Sequence, residues 1–275
     1  MDQYASISYK TSKLVTNAYS TSFGLSIRLF EPSLRPHIYA IYGLVRIADE
    51  IVDTYNGTDQ RELLDNFEAE TKRALESGYS TNPIIHAFAQ TAEKYTITND
   101  LLAPFFESMR MDLTPQKFDQ RKYEDYIFGS AEVVGLMCLK IFTHNQKQYN
   151  QLEKAAKKLG SAYQKVNFLR DIAADADGLG RWYFPKSSKE TFDDIAKRII
   201  EKDIEKDFMA AHIGIKLLPA SSKKAVRLSY DYYQGLLEKI KQTSASDLLQ
   251  QRIRLSNPKK IVLLIQTSLN GKRHA

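Results

Sequence analysis

Residues 39–53, YAIYGLVRIADEIVD, leave little choice of architecture. Read as a helix turning about 100° per residue, with Asp49 at zero, Tyr42 falls near ~20°, Asp53 near ~40° and Arg46 near ~60°. Ile41, Leu44, Val45, Ile47, Ala48 and Val52 occupy most of the remaining circumference. A surface helix carries a broad polar face, whereas this one has a narrow polar strip framed by apolar surface. Such a helix has to be buried on most sides.

The rest of the chain is compatible with helical surroundings. Its 275 residues include only 12 glycines and 8 prolines, and apolar residues recur at helical spacing almost throughout. The pattern predicts helices over 8–29, 33–55, 60–77, 82–94, 99–113, 122–144, 149–176, 190–216, 221–242 and 258–269. Breaks fall at Glu31-Pro32-Ser33, Asn56-Gly57, Asn82-Pro83, Thr114-Pro115, Asp177 to Pro185 and Leu218-Pro219. Ser33 is the expected N-cap of the second helix. No alternating strand pattern, internal repeat or long linker is visible. The expectation is one all-α domain over 1–275, built as a helical bundle.

Composition excludes several classes. No uninterrupted apolar run of about 18 residues exists to span a bilayer. The first ten residues, MDQYASISYK, lack the layout of a secretory leader, so a cytoplasmic location is expected. Cys138, the single cysteine, lies in VVGLMCLKIF and reads as a core filler. The net charge of +6 permits an anionic partner, but the basic residues are dispersed and match no nucleic-acid module, so none is expected to bind. His37, His86, His144, His212 and His274 show no metal-like spacing.

Taken alone, the first strip fits either an exposed-edge ion pair from Arg46 to Asp49 and Glu50, or part of a site. A second segment, YQKVNFLRDIAADADGLGRWYFP at 163–185, repeats the pattern. With Asn167 at zero, Asp171 lies near ~40°, Gln164 near ~60° and Asp175 near ~80°, beside Val166, Phe168, Leu169, Ile172 and Ala173. Four carboxylates facing one another inside a bundle would repel unless cations intervened. An all-oxygen donor set without histidine suits Mg²⁺, which commonly bridges carboxylates and phosphates. Arg46, Arg170 and Arg181 would then grip phosphate oxygens. On the wheel, Arg170 lies about 60° to the other side of Asn167, which leaves a structural role open for it.

From about Tyr19 to Lys260 the chain resembles the squalene/phytoene synthase family of head-to-head prenyl transferases. The matching stretches are YSTSF with Ser20, Ser22 and Phe23, then LRPHIYAIYGLVRIADEIVD, SMRMDL (108–113) and YIFGSAEVVGLM (126–137). QKVNFLRDIAADADGLGRWYFP is the most specific, and YQGLLEKI and QRIRLSNPKK follow near the end. The resemblance implies an isoprenoid-synthase-type bundle around a central apolar cavity. It implies Mg²⁺, several ions in all, held by Asp49, Asp53, Asn167, Asp171 and Asp175. It places Tyr42, Arg46, Gln164, Arg170, Arg181, Ser22 and Phe23 at the substrate, with Tyr126 and Tyr183 near the reacting carbons. Those two tyrosines join Asp49, Asp53, Asp171, Asp175 and Arg46 as the expected catalytic set, although a core tyrosine with a satisfied hydroxyl fits Tyr126 equally well. Tyr233 and Arg252 match loosely, and Arg252 reads as an exposed basic residue. Tyr19 stands where some relatives carry histidine.

The implied reaction joins two prenyl diphosphates through a cyclopropyl diphosphate, giving phytoene if both are geranylgeranyl diphosphate. NADPH is not expected for that product. Squalene or dehydrosqualene synthesis from farnesyl diphosphate is the alternative within the family. The tail KKIVLLIQTSLNGKRHA is too short and polar for the membrane anchor of eukaryotic squalene synthases, which favours the bacterial phytoene type. A catalytically lapsed member acting as a binding or assembly protein would be expected to have lost carboxylates, and all four are present. A lipid product and a basic chain together predict peripheral membrane contact, through helix 258–269.

Overall fold

A computed structural model describes residues 2–114 and 116–255. In chain order its helices are α1 (Gln3–Tyr19), α2 (Thr21–Ile27), α3 (Arg35–Asp49), α4 (Gln60–Ser77), α5 (Pro83–Tyr95) and α6 (Asn99–Met111). There follow α7 (Gln120–Ile127), α8 (Val133–Phe142), α9 (Gln146–Gly178), α10 (Asp194–Leu217), α11 (Ala220–Lys241) and α12 (Ala245–Leu248). No strand occurs among the described residues; Lys117 and Trp182 form an isolated bridge. The expected all-α bundle is what the chain builds. The helix expected over 258–269 lies outside the described residues.

Side-chain caps start many of these helices. Asp2, Asn82, Asp119, Asn145 and Asp193 each accept backbone N–H bonds at a first turn, supplying partners that the helix itself cannot. Two expectations fail at this level. The helix expected over 8–29 breaks at Ser20, whose extended backbone (φ −141°) lets its hydroxyl cap α2 at Phe23 N, 3.2 Å away. Ser33 does not cap α3; its hydroxyl turns to Glu31, and α3 opens instead at Arg35-Pro36, where a proline's missing N–H costs nothing.

Two further helices deviate inside their expected spans. After Asp49, α3 continues as a π-turn over Glu50–Thr54, and another π-turn over Phe128–Glu132 joins α7 to α8. The second lies where backbones touch. A Cβ on Gly129 would sit 2.2 Å from the Pro104 carbonyl oxygen in α6, a contact no relaxation of a side chain can relieve.

Helix α9 is the axis of the bundle, packing on α10, α8, α11 and the Phe128–Glu132 turn. Its inner face carries the buried Val166, Phe168, Leu169 and Ile172. A buried polar knot fastens it to α10: Asp207 accepts from Lys165, Lys158 and Ser161, all at 2.7 Å. No helix among the described residues is long and apolar enough to cross a membrane.

The close approach at Gly129 gives a direct test. Gly129→Ala is expected to lower unfolding stability by about 1–3 kcal/mol. Gly178→Ala, at a position open on all sides, is expected to leave it unchanged or slightly raised. Denaturant melts that place the two variants alike would contradict this packing.

Candidate active site

The bundle encloses a cavity of about 630 Å³ between α3, α8, α9, α10 and α11. One end is apolar; Phe30 and Phe142, stacked 5.1 Å apart, and Leu139, Leu152 and Leu218 are on the wall. Its other end is acidic. Asp49 and Asp53 reach it from α3 and the π-turn, Asp171 and Asp175 from α9, and Asp112 from the end of α6. The two polar strips therefore face one space. Asp175 feels Asp53 across it, and Asp49 feels Asp53 and Asp112.

Four arginines line the same end among the described residues. Arg181, nearly buried, donates to Asp53 Oδ1 at 2.6 Å and to the carbonyl oxygens of Val52 and Asp112 at 2.9 and 2.8 Å. It is placed by a tight return: Gly180 takes the left-handed conformation (φ +62°), and Arg181 N bonds back to Asp175 O at 2.8 Å. Arg170 clasps its neighbour Asp171 through Nη2 at 2.5 Å. Arg252 reaches the same carboxylate, Nε to Oδ1 at 2.6 Å. Arg46 pairs with Glu50, stands 3.9 Å from Asp49 and lies over the Tyr19 ring, 4.3 Å from its centroid. The local ion pair from Arg46 is present, but it stands on the wall of a cavity and not on an exposed edge.

Asp112 anchors two phenols. Tyr126 donates to Oδ2 at 2.7 Å and Tyr183 to Oδ1 at 2.9 Å, with the hydroxyls 3.4 Å apart. Burial pushes both phenol pKa values up, so both stay protonated. Phe168 stacks on Tyr183 at 4.3 Å, which puts an aromatic wall where the acidic end meets the apolar end. Phe23 stacks on Tyr42 at 5.1 Å on the opposite side.

Burial, and then the adjacent Asp53, push Asp49 up to about 7. Burial and then Asp171 do the same for Asp175. Asp112 rises to about 6, chiefly through burial and despite Arg181 and the two phenols.

Of the residues picked out in the sequence, Tyr42, Arg46, Asp49, Asp53, Tyr126, Gln164, Asn167, Arg170, Asp171, Asp175, Arg181, Tyr183 and Phe23 all line this cavity. The side chain of Ser22 lies outside the described residues. Arg252 is 48% exposed, as its basic-residue reading expects, yet its guanidinium ends on Asp171. Cys138 packs against the hydrophobic core, as expected, and also lines the cavity; burial pushes its thiol up to about 12. Asp112 was not singled out. The signal existed: it follows the buried Phe105 and Met109 by seven and three residues, which puts a carboxylate on an apolar helical face.

The donors fit a hard divalent cation in kind. Asn167 presents a buried amide oxygen with no hydrogen-bond partner among the described residues, and the acids around it offer only oxygen. As arranged, no three acidic, histidine or cysteine side chains among the described residues converge to hold an ion. Asp53 and Asp171 are turned toward arginines instead.

The family description "Squalene/phytoene synthase" matches residues 16–259. The chain belongs to this family. It is similar to phytoene synthase 2, chloroplastic, of Solanum lycopersicum, at 27% identity over 90% of this chain and 85% of that protein. It is 24% identical to 4,4'-diapophytoene synthase of Staphylococcus haemolyticus, over 92% and 93% of the two chains. In fold it matches a crystal structure of a dehydrosqualene synthase in complex with ligand, with a TM-score of 0.85, 21% identity and 99% of each chain covered. Family membership makes this chain a prenyltransferase-type enzyme of head-to-head condensation.

The raised carboxyls set a pH dependence. Asp49 and Asp175 hold protons below about pH 7, so a cation that takes them must displace protons and binds more tightly as pH rises. The same protons contribute stability to the fold that is fully present below about pH 4 and is lost progressively as pH rises toward about 7. Mn²⁺ titrated calorimetrically is expected to bind at least about tenfold more tightly at pH 8 than at pH 6. Equal affinities would remove these carboxyls as ligands.

Proposed function

We propose that this enzyme joins two molecules of geranylgeranyl diphosphate head to head, through a cyclopropyl diphosphate, to give phytoene. The observation that carries the choice of substrate is the length of the cavity wall. Helix α9 lines the cavity from Asn167 at the acidic end to Leu152 at the floor, fifteen residue steps and about 22 Å of helix. An extended geranylgeranyl main chain of sixteen carbons spans about 18 Å at roughly 1.2 Å per bond, a farnesyl chain about 13 Å. The longer chain uses the depth that α9 provides.

In this reading Asp49, Asp53, Asn167, Asp171 and Asp175 hold Mg²⁺, which when bound supplies Lewis-acid neutralisation of a departing diphosphate. Arg46, Arg170 and Arg181 bind and orient phosphate oxygens. Arg46 keeps a buried Nε–H with no partner among the described residues, a donor open to an anion. Gln164 and Tyr42 border the same space, and Phe23 fixes the Tyr42 ring by stacking. The apolar floor and walls exclude water from the allylic cations. Phe168, Tyr126 and Tyr183 turn aromatic surface toward them, which favours positive charge. Both diphosphates leave and two protons are lost overall, so no reductant is consumed.

A second reading, condensation of farnesyl diphosphate to dehydrosqualene, is favoured by the likeness to the diapophytoene synthase of S. haemolyticus. Purified enzyme given each diphosphate separately with Mg²⁺, without NADPH, distinguishes them by product. Phytoene from the longer substrate is expected; turnover of farnesyl diphosphate alone would transfer the assignment to the second reading. Asp171→Ala is expected to keep its melting temperature within a few degrees while turnover drops by about a thousandfold or more. Activity close to wild type in that variant would end the clamp hypothesis.

A further inference from the structure

Helix α10 has two apolar faces, and the catalytic cavity accounts for only one. Inward, Ala211, Gly214 and Ile215 form part of the cavity wall. Outward, Ile195, Ile199, Met209, Ile213 and Leu217 are 70%, 64%, 63%, 66% and 50% exposed. With Ile195 at zero on the helical wheel, Ile199 and Leu217 fall near ~40°, Ile213 near ~0° and Met209 near about −40°. Lys202 and Lys206 fall between them, near about −20° and ~20°, and both are exposed. Exposed Arg198 and Lys216 border the stripe near about −60°.

No acid interrupts it. Glu201 pairs with Lys197, Asp203 and Asp207 with Lys165, and Glu205 with Lys241, so the carboxylates along the helix body are neutralised by residues beside or behind the stripe. What faces outward is a row of aliphatic side chains interleaved with cations. Solvent does not favour such a face on a globular enzyme, and two copies of it brought together would oppose lysine with lysine. An anionic lipid surface matches both components: the aliphatic side chains enter the acyl boundary, and the lysines meet phosphate headgroups.

We infer that the outer face of α10 is the membrane-docking surface of this enzyme, and that its partner is an anionic bilayer. The placement suits a prenyl-lipid synthase. One helix separates the cavity from this face, since Gly214 and Ile215 line the first while Ile213 and Leu217 present the second. The inference requires family chemistry only, and holds for either prenyl chain length. It places the contact on α10 instead of the C-terminal helix expected from sequence, which lies outside the described residues.

The test is flotation of the full chain with phosphatidylcholine vesicles, either neutral or containing roughly one-third phosphatidylglycerol. Wild type is expected to float with the anionic vesicles at low salt. Ile199→Glu combined with Ile213→Glu is expected to reduce the floated fraction at least about tenfold. Lys202→Glu combined with Lys206→Glu is expected to abolish the preference for anionic over neutral vesicles. Both double variants should keep wild-type turnover in detergent, which separates docking from catalysis and certifies the fold. Flotation of both variants at the wild-type level would overturn the proposal and assign any membrane contact elsewhere. Failure of wild type to float would overturn it too. So would sedimentation of wild type as a dimer that the isoleucine pair of substitutions dissociates, which would make the face a self-association surface.

Discussion

Mutual repulsion of carboxylates around one cavity is the constraint on which the rest of this structure turns. Two such charges about 4 Å apart at a protein-like effective dielectric of 20 repel by roughly 4 kcal/mol. Five line this cavity, from three separate parts of the chain, and four guanidiniums are drawn in among them. Arg181 is the keystone of that balance. Its single side chain ties the end of α3, the end of α6 and the loop after α9 together, through Asp53, the Val52 and Asp112 carbonyls and its own backbone bond to Asp175. Losing it would leave the Asp112 and Asp53 carboxylates without their compensating charge as well as opening the loop. The remaining imbalance of acid over base is what burial converts into bound protons on Asp49 and Asp175.

The strips themselves were legible because helical periodicity is a local property. Four-residue spacing between Asp49 and Asp53, and between Asn167, Asp171 and Asp175, dictates a shared face whatever surrounds it. The bundle followed from the same arithmetic. What was not legible depends on contacts distant in sequence. Arg252 meets Asp171 across 81 residues, and no local pattern distinguishes it from any other exposed arginine. The π-turn at Phe128–Glu132 lies against a proline carbonyl in α6, so its origin is tertiary. The break at Ser20 turned on one hydroxyl choosing a cap over helix continuation. Asp112 is different: its position on an apolar face could have been read from its spacing to Phe105 and Met109, and the resemblance stretch SMRMDL even contained it.

Placing both chemistries on one helix has a geometric consequence. Helix α9 carries Asn167, Asp171 and Asp175 at one end of the cavity and Leu152 at the floor, so the distance from donor oxygens to floor is set by a rigid element rather than by loops. On the proposed reading, the rigid rise per residue sets how far a prenyl tail can run along α9 from the acidic end. On that reading chain-length preference is a property of side-chain volume at the floor, independent of the acidic end. The wall between them, where Tyr126 and Tyr183 bond to Asp112 and Phe168 stacks alongside, belongs to neither.

The arginine pairing also explains how five carboxylates can persist around one cavity. Asp171 is held by Arg170 and Arg252, and Asp53 by Arg181, so these two carboxylates have counter-charges within the protein. A diphosphate offers those same guanidiniums a stronger, multidentate partner. Each arginine it attracts uncovers a carboxylate, and an uncovered carboxylate beside Asp49 or Asp175 raises the local affinity for a cation. By linkage the cation must favour the diphosphate to the same degree. In the proposed clamp, then, neither ligand meets a fully prepared site alone. The site becomes complementary to the pair, which limits ionisation of a diphosphate to the moment when its counter-charges are in place.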